Sequence, residues 1–77
     1  NSNALKIIEL ENDNVQFTAS KNINSVRIFD LLGRQLYEFS GRNTSETYNL
    51  SNLSSSIYIA KVTLINGATI TKKAFKK

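Results

Sequence analysis

The sequence predicts an all-β fold, a seven-stranded antiparallel sandwich built as one small domain. Two observations carry this expectation. Apolar residues recur with a period of two, and clusters of polar turn residues interrupt them at regular spacing. A third points the same way, since no window sustains a helical repeat. With 77 residues the chain has room for a single thin core. Its 40% apolar and 21% charged residues are the balance of a folded domain and not of a disordered one.

The elements follow in order. Residues 1–4 are small and polar and read as the end of a linker. A first strand is expected near 5–10, and Glu11-Asn12-Asp13-Asn14 separates it from a second near 15–20, where Val15, Phe17 and Ala19 alternate with Gln16 and Thr18. A third strand near 25–30 places Val26 and Ile28 on one face. Leu31-Leu32-Gly33 then turns the chain into a fourth near 34–40. Gly41–Ser45 is a polar loop before a fifth strand near 46–50, and Ser51–Ser56 leads to a sixth near 57–65. Asn66-Gly67 predicts a type I′ turn, which needs φ > 0 at both central residues, before a seventh strand near 68–75. Val15, Phe17, Val26, Ile28, Tyr58, Val62 and Leu64 are the expected core. Seven strands at this spacing suggest a two-sheet antiparallel sandwich or small barrel with no helix longer than one turn, and an immunoglobulin-like β-sandwich is the fold expected.

Composition removes several kinds of chemistry. There is no cysteine, so neither a disulfide nor a thiolate nucleophile is available. There is no histidine, which takes away the commonest general base and metal ligand. The serines have no activating partner in view, and the three glycines form no phosphate-binding loop. Glu9, Glu11 and Asp13 match no EF-hand spacing and read as a solvated acidic turn. The expectation is therefore a domain with no catalytic residues, no metal and no cofactor. The longest apolar run is four residues, Ile57 to Ala60, too short to span a membrane. The chain opens at Asn1 with no methionine and no visible signal peptide, and reads as a domain released from a longer protein.

The net charge of +4 is unevenly placed. Residues 68–77 hold Lys72, Lys73, Lys76 and Lys77 and no acid, while six basic and six acidic side chains cancel in the rest. A nucleic-acid groove would need aromatic residues among the basic ones, and most aromatics here sit at alternating positions expected to be core.

Three constellations stand out. In Val26–Arg34 an apolar strand ends on Asp30, whose carboxylate can accept turn amides, and Gly33 and Arg34 complete the turn. In Leu50–Val62 two leucines, Leu50 and Leu53, anchor a loop of small residues, and Tyr58 starts the core face of the next strand. In Thr71–Lys77 the lysines can protect a strand edge from aggregation. They can equally form a handle that a receptor grips by strand pairing, with Phe75 as an anchor.

Together these resemble the type A C-terminal sorting domain of the type IX secretion system of Bacteroidetes. The residues that carry the resemblance are Phe29-Asp30-Leu31-Leu32-Gly33-Arg34, Leu50-Ser51-Asn52-Leu53, Ser56-Ile57-Tyr58-Ile59-Ala60-Lys61-Val62 and Lys72-Lys73-Ala74-Phe75-Lys76, and it covers about residues 5–77. Ser56 stands where that family usually has glycine, and Ala74 where it usually has a branched residue. The resemblance implies a non-catalytic signal that directs a cargo protein, attached on its N-terminal side, across the outer membrane. It implies an outer-membrane translocon and a surface cysteine peptidase as partners, with no nucleic acid and no direct membrane insertion. The expected location is the periplasm in transit, then the cell surface or the medium. Lys72, Lys73, Phe75, Lys76 and Lys77 are the residues expected to be read by the machinery, with Asp30, Gly33, Arg34, Leu50, Leu53 and Tyr58 in structural roles. The alternative is a structural or adhesive sandwich module that packs on a neighbouring domain or binds surface glycans, which would show an exposed aromatic patch away from the last strand.

Overall fold

The computed structural model describes residues 4–53 and 56–77. The linker expected at residues 1–4 therefore lies, but for Ala4, outside the described residues, as do Ser54 and Ser55 of the loop between the fifth and sixth strands. The seven strands are β1 Leu5–Glu9, β2 Asn14–Ala19, β3 Ile23–Phe29, β4 Gln35–Ser40, β5 Ser45–Asn49, β6 Ser56–Leu64 and β7 Thr69–Lys76. Among the described residues a single 3-10 turn, Ser51–Leu53, precedes β6.

The strands form two antiparallel sheets, β1-β2-β5 and β4-β3-β6-β7, in the manner of an immunoglobulin-like sandwich in which β4 joins the sheet of β3, β6 and β7. Period-two patterning determines what fills the space between them. All seven residues of the expected core are buried, together with Leu5, Ala19, Ile23, Leu50, Leu53 and Ala60. Phe17 and Tyr58 are the largest apolar side chains in this core. A side chain of this size removes more apolar area from water than the aliphatic ones around it, so each contributes heavily to the driving force of so small a domain.

The two flanks are closed differently. On the β4/β5 flank, Phe39 and Tyr48 stack with centroids 4.2 Å apart, and Tyr37 stacks on Phe39. The Tyr48 hydroxyl donates to the Ser40 carbonyl across the flank. On the β1/β7 flank no aromatic side chain bridges the sheets among the described residues, and lysines of β7 take that place, as set out below.

Two hairpins are built alike. Between β3 and β4, the Gly33 N–H donates to the Asp30 carbonyl and the Asp30 N–H to the Arg34 carbonyl, with Gly33 at φ +89°. Between β6 and β7, the Gly67 N–H donates to the Leu64 carbonyl and the Leu64 N–H to the Ala68 carbonyl, with Gly67 at φ +88°. Each is a three-residue loop whose last position alone is left-handed. The type I′ turn expected at Asn66-Gly67 is thus corrected: Asn66 does not take positive φ, and its side-chain carbonyl instead accepts the Ala68 N–H at 3.0 Å. The turn with two positive central residues lies between β1 and β2, where Asn12 and Asp13 have φ of 59° and 65° and the Asn14 N–H donates to the Glu11 carbonyl. Asparagine and aspartate tolerate this region better than other side chains because they hydrogen-bond locally.

Candidate functional site

The turn at the end of β3 is organised by Asp30. Its Oδ1 accepts the Leu32 and Arg34 backbone amides, each at 2.9 Å, and its Oδ2 accepts the Arg34 Nε at 2.8 Å. The Arg34 amide above all, then the guanidinium and the Leu32 amide, hold the Asp30 carboxyl below its ordinary value despite the opposing effect of burial. With the carboxylate facing inward to the turn, Leu31 and Leu32 are left at its tip, 59% and 84% exposed.

The loop before β6 is held from both ends. The Asn49 Oδ1 accepts the Ser51 N–H, Leu53 N–H donates to the Leu50 carbonyl, and both leucines are buried. Tyr58 is buried in the core close to Glu9 and Lys76, and burial pushes its phenol up to about 12. Ser56 is not among the residues with positive φ, so the glycine usual in the resembling family is not required by the backbone here.

The last strand splits into two faces. Its register against β6 pairs Ala60 with Lys72, Tyr58 with Ala74 and Ser56 with Lys76. Tyr58 and Ala60 point into the core, so Lys72, Ala74 and Lys76 share the inward face. Ile59 pairs with Lys73 and Ile57 with Phe75, which puts Lys73 and Phe75 on the outer face. Phe75 is 56% exposed there, and Lys73 and Lys77 are exposed.

The inward lysines tie β7 to β1. Lys72 Nζ donates to the Leu5 carbonyl at 2.9 Å. Lys76, only 1% exposed, donates from Nζ to Asp13 Oδ1 at 2.8 Å, to Glu9 Oε2 at 3.1 Å and to the Lys77 carbonyl at 3.0 Å. Three acceptors match the three donors of an ammonium. The hydrogen bond to Asp13, reinforced by Glu9, raises the Lys76 amine above its ordinary value against the opposing effect of burial. Glu9 also accepts the Lys77 backbone N–H at 3.1 Å. A side chain of each edge strand therefore satisfies a backbone group of the other, which blocks part of both open edges.

A family model described as a domain of unknown function (DUF8694) matches residues 1–75. The chain belongs to the DUF8694 family. No curated protein matches it.

This DUF8694 domain revises two expectations about single residues. Lys76 was expected in the handle offered to a receptor; it is instead buried against Glu9 and Asp13, because strand parity turns it inward. Glu9 and Asp13 were expected in a solvated acidic turn; they hold the Lys76 ammonium. Among the described residues no group of three His, Cys, Asp or Glu gathers as a metal site. The positions of Lys72 and Lys76 relative to Tyr58 were open to a strict parity argument. What hid them is that lysine is so rarely buried that it reads as exposed.

The expected sites converge. The β3–β4 turn, Leu53 and the start of β6 border one shallow groove, lined in part by Asp30, Leu31, Arg34, Leu36, Leu53 and Ile57. Phe75 stands beside Ile57 across the β6–β7 pair. Lys73 and Phe75 thus stand at the same end of the sheet as the turn, one strand beyond β6, although some forty positions separate them from it in sequence.

Proposed function

We propose that this domain is a non-catalytic sorting signal that carries an attached cargo protein across the outer membrane through the type IX secretion system and is then removed by a surface peptidase. The observation that supports this reading is the identity of the residues gathered at one end of the sandwich. Motifs that resemble those of type A sorting domains, spread from Asp30 to Lys77, meet at one end of the sandwich. The antiparallel order β4-β3-β6-β7 brings the end of β3, the start of β6 and the end of β7 together in any such sheet, so the support lies in which residues stand there and not in the meeting itself.

In this reading Lys73, Phe75 and Lys77 carry recognition, while Lys72 and Lys76 keep the strand docked. An aromatic side chain more than half exposed beside two free lysines suits a receptor with an apolar seat and acidic surroundings. The partners are the outer-membrane translocon and the surface cysteine peptidase, and the domain passes through the periplasm to the cell surface or the medium.

The adhesive alternative would use the stack of Tyr37, Phe39 and Tyr48. Those rings are half-buried, the Tyr48 hydroxyl is taken up by Ser40, and the Tyr37 hydroxyl accepts the Asn52 N–H. They read as closure of the β4/β5 flank and not as an open ligand platform.

The test is a reporter fused in front of the domain in a host that has the secretion system. Surface display that requires both the domain and a working translocon supports the proposal. A fused reporter that stays in the periplasm of the competent host contradicts it.

A further inference from the structure

We infer that the docking surface is composite, formed by the β3–β4 turn together with β6 and β7, and that its occupant is a protein that inserts an apolar side chain between Leu32 and Ile57 and presents carboxylates to Lys73 and Lys77. This rests on the sorting reading and goes beyond it, because it makes the folded domain and not a linear tail the thing recognised.

The apolar side is unusual for a monomer of this size. Leu31, Leu32, Leu36, Ile57 and Phe75 are all exposed, and they lie at one end of the four-stranded sheet. Scattered exposed apolar residues need no explanation, but a contiguous group marks an interaction site. The groove between the turn and the start of β6, about 410 Å³, offers a seat for one or two side chains.

The charge is equally one-sided. The outer face of the four-stranded sheet carries Arg27, Lys61 and Lys73, with Lys77 just beyond β7 and Glu38 as its acid. Arg27 pairs with Glu38 and Arg34 with Asp30, which leaves Lys61, Lys73 and Lys77 without a carboxylate partner among the described residues. A second copy of this chain would bring these lysines against each other, so charge disfavours self-association through this face. A bilayer of anionic lipid would attract the lysines, but a flat lipid surface has no side chain to fill the groove. A protein with an apolar centre and an acidic rim satisfies all three features.

The experiment keeps the terminal strand intact and changes the turn. Leu31→Ser/Leu32→Glu is placed in the reporter fusion, with Ile8→Ser on the opposite sheet as control, and Lys73→Glu/Lys77→Glu tests the charge. Thermal melts of the purified domains establish that each is folded, which the exposure of the changed side chains leads one to expect. At least a tenfold loss of surface display is expected for the turn variant and for the charge variant, and wild-type display for Ile8→Ser. Wild-type display by the folded turn variant overturns the composite surface and leaves the sorting reading standing. No display even by the unaltered fusion overturns both. Sedimentation of the unaltered domain with phosphatidylglycerol vesicles, lost in the turn variant, reassigns the surface to lipid and overturns the protein occupant.

Discussion

The Lys76 ammonium lies 2.8 Å from the Asp13 carboxylate, joining the last strand to the first turn across 63 positions of sequence. Glu9 completes the clamp at 3.1 Å. Since β1 and β7 are edge strands of different sheets, this contact and the Lys72–Leu5 hydrogen bond hold the two layers together on a flank that lacks the aromatic stack of the other.

The clamp predicts a sharp difference between neighbouring lysines. Lys76→Ala removes a buried stem and takes the cation from Glu9 and Asp13, and is expected to lower Tm by more than about 5 °C. Lys76→Met keeps the stem and is expected to cost less, because both carboxylates reach water and can be resolvated. Lys73→Ala on the outer face is expected to shift Tm by less than about 2 °C. Equal effects of Lys76→Ala and Lys73→Ala in thermal melts would show that the clamp contributes nothing.

The pH dependence should be flat in the middle and fall at both ends. Lys76 is raised above its ordinary 10.5, so its contribution is present below that value and is lost as pH rises through the folded-state value. Tyr48 and Tyr58, pushed up to about 12 chiefly by burial, act in the same direction above pH 10, since their phenols ionise in the unfolded chain first. Asp30 and Glu46 are depressed, Asp30 by the Arg34 amide and Glu46 by the Arg42 and Asn43 amides. Their contributions are present above 3.8 and 4.5 and are lost as pH falls through the folded-state values. Denaturant midpoints measured from pH 2 to 12 check this, and Asp30→Ala should flatten the acid side.

Gly33 is strained for any other residue through its backbone and not through contact. Its φ is +89°, and a Cβ built there meets nothing within 4 Å. Gly33→Val is expected to destabilise by about 1–3 kcal/mol, and Gly33→Asn by less because asparagine tolerates positive φ. Chemical denaturation of the two variants separates these outcomes, and a stability for Gly33→Val equal to that of the parent would remove the turn from the account.

The core leaves little margin. Phe17→Ala deletes a fully buried ring and is expected to cost about 3–5 kcal/mol, close to the lower end of the roughly 5–15 kcal/mol that holds a native domain folded. Phe75→Ala on the outer face is expected to cost under about 1 kcal/mol. Circular dichroism of the two variants should show one losing its cooperative transition and the other keeping it.

Much of the fold was legible in the sequence because alternation is a local signal. Val15 and Phe17, or Tyr58 and Val62, mark a buried face whatever they pack against, and polar clusters mark where strands end. Asp30, Gly33 and Arg34 were legible for the same reason, since their hydrogen bonds span four residues. The Lys76 clamp was not, because its acceptors come from β1 and the turn after it and are chosen by which edges face each other. The Asn66-Gly67 turn failed on a related ground. Whether a loop has two residues or three depends on the register of β6 and β7, which the pair of turn residues does not encode.

In the proposed sorting role, export depends on the outward side chains at the end of β7 and not on the presence of the strand. Deleting residues 72–77 is a poor test, because it also removes Lys76 and most of the β6–β7 pairing. The direct measurement is the surface-displayed fraction of a reporter fused in front of a domain carrying Lys73→Ser, Phe75→Ser and Lys77→Ser, in a host with the type IX system. Expected are a domain that melts within a few degrees of the parent, about what exposed substitutions cost, and a reporter retained in the periplasm. A folded triple variant that reaches the cell surface at the parental level would contradict that dependence.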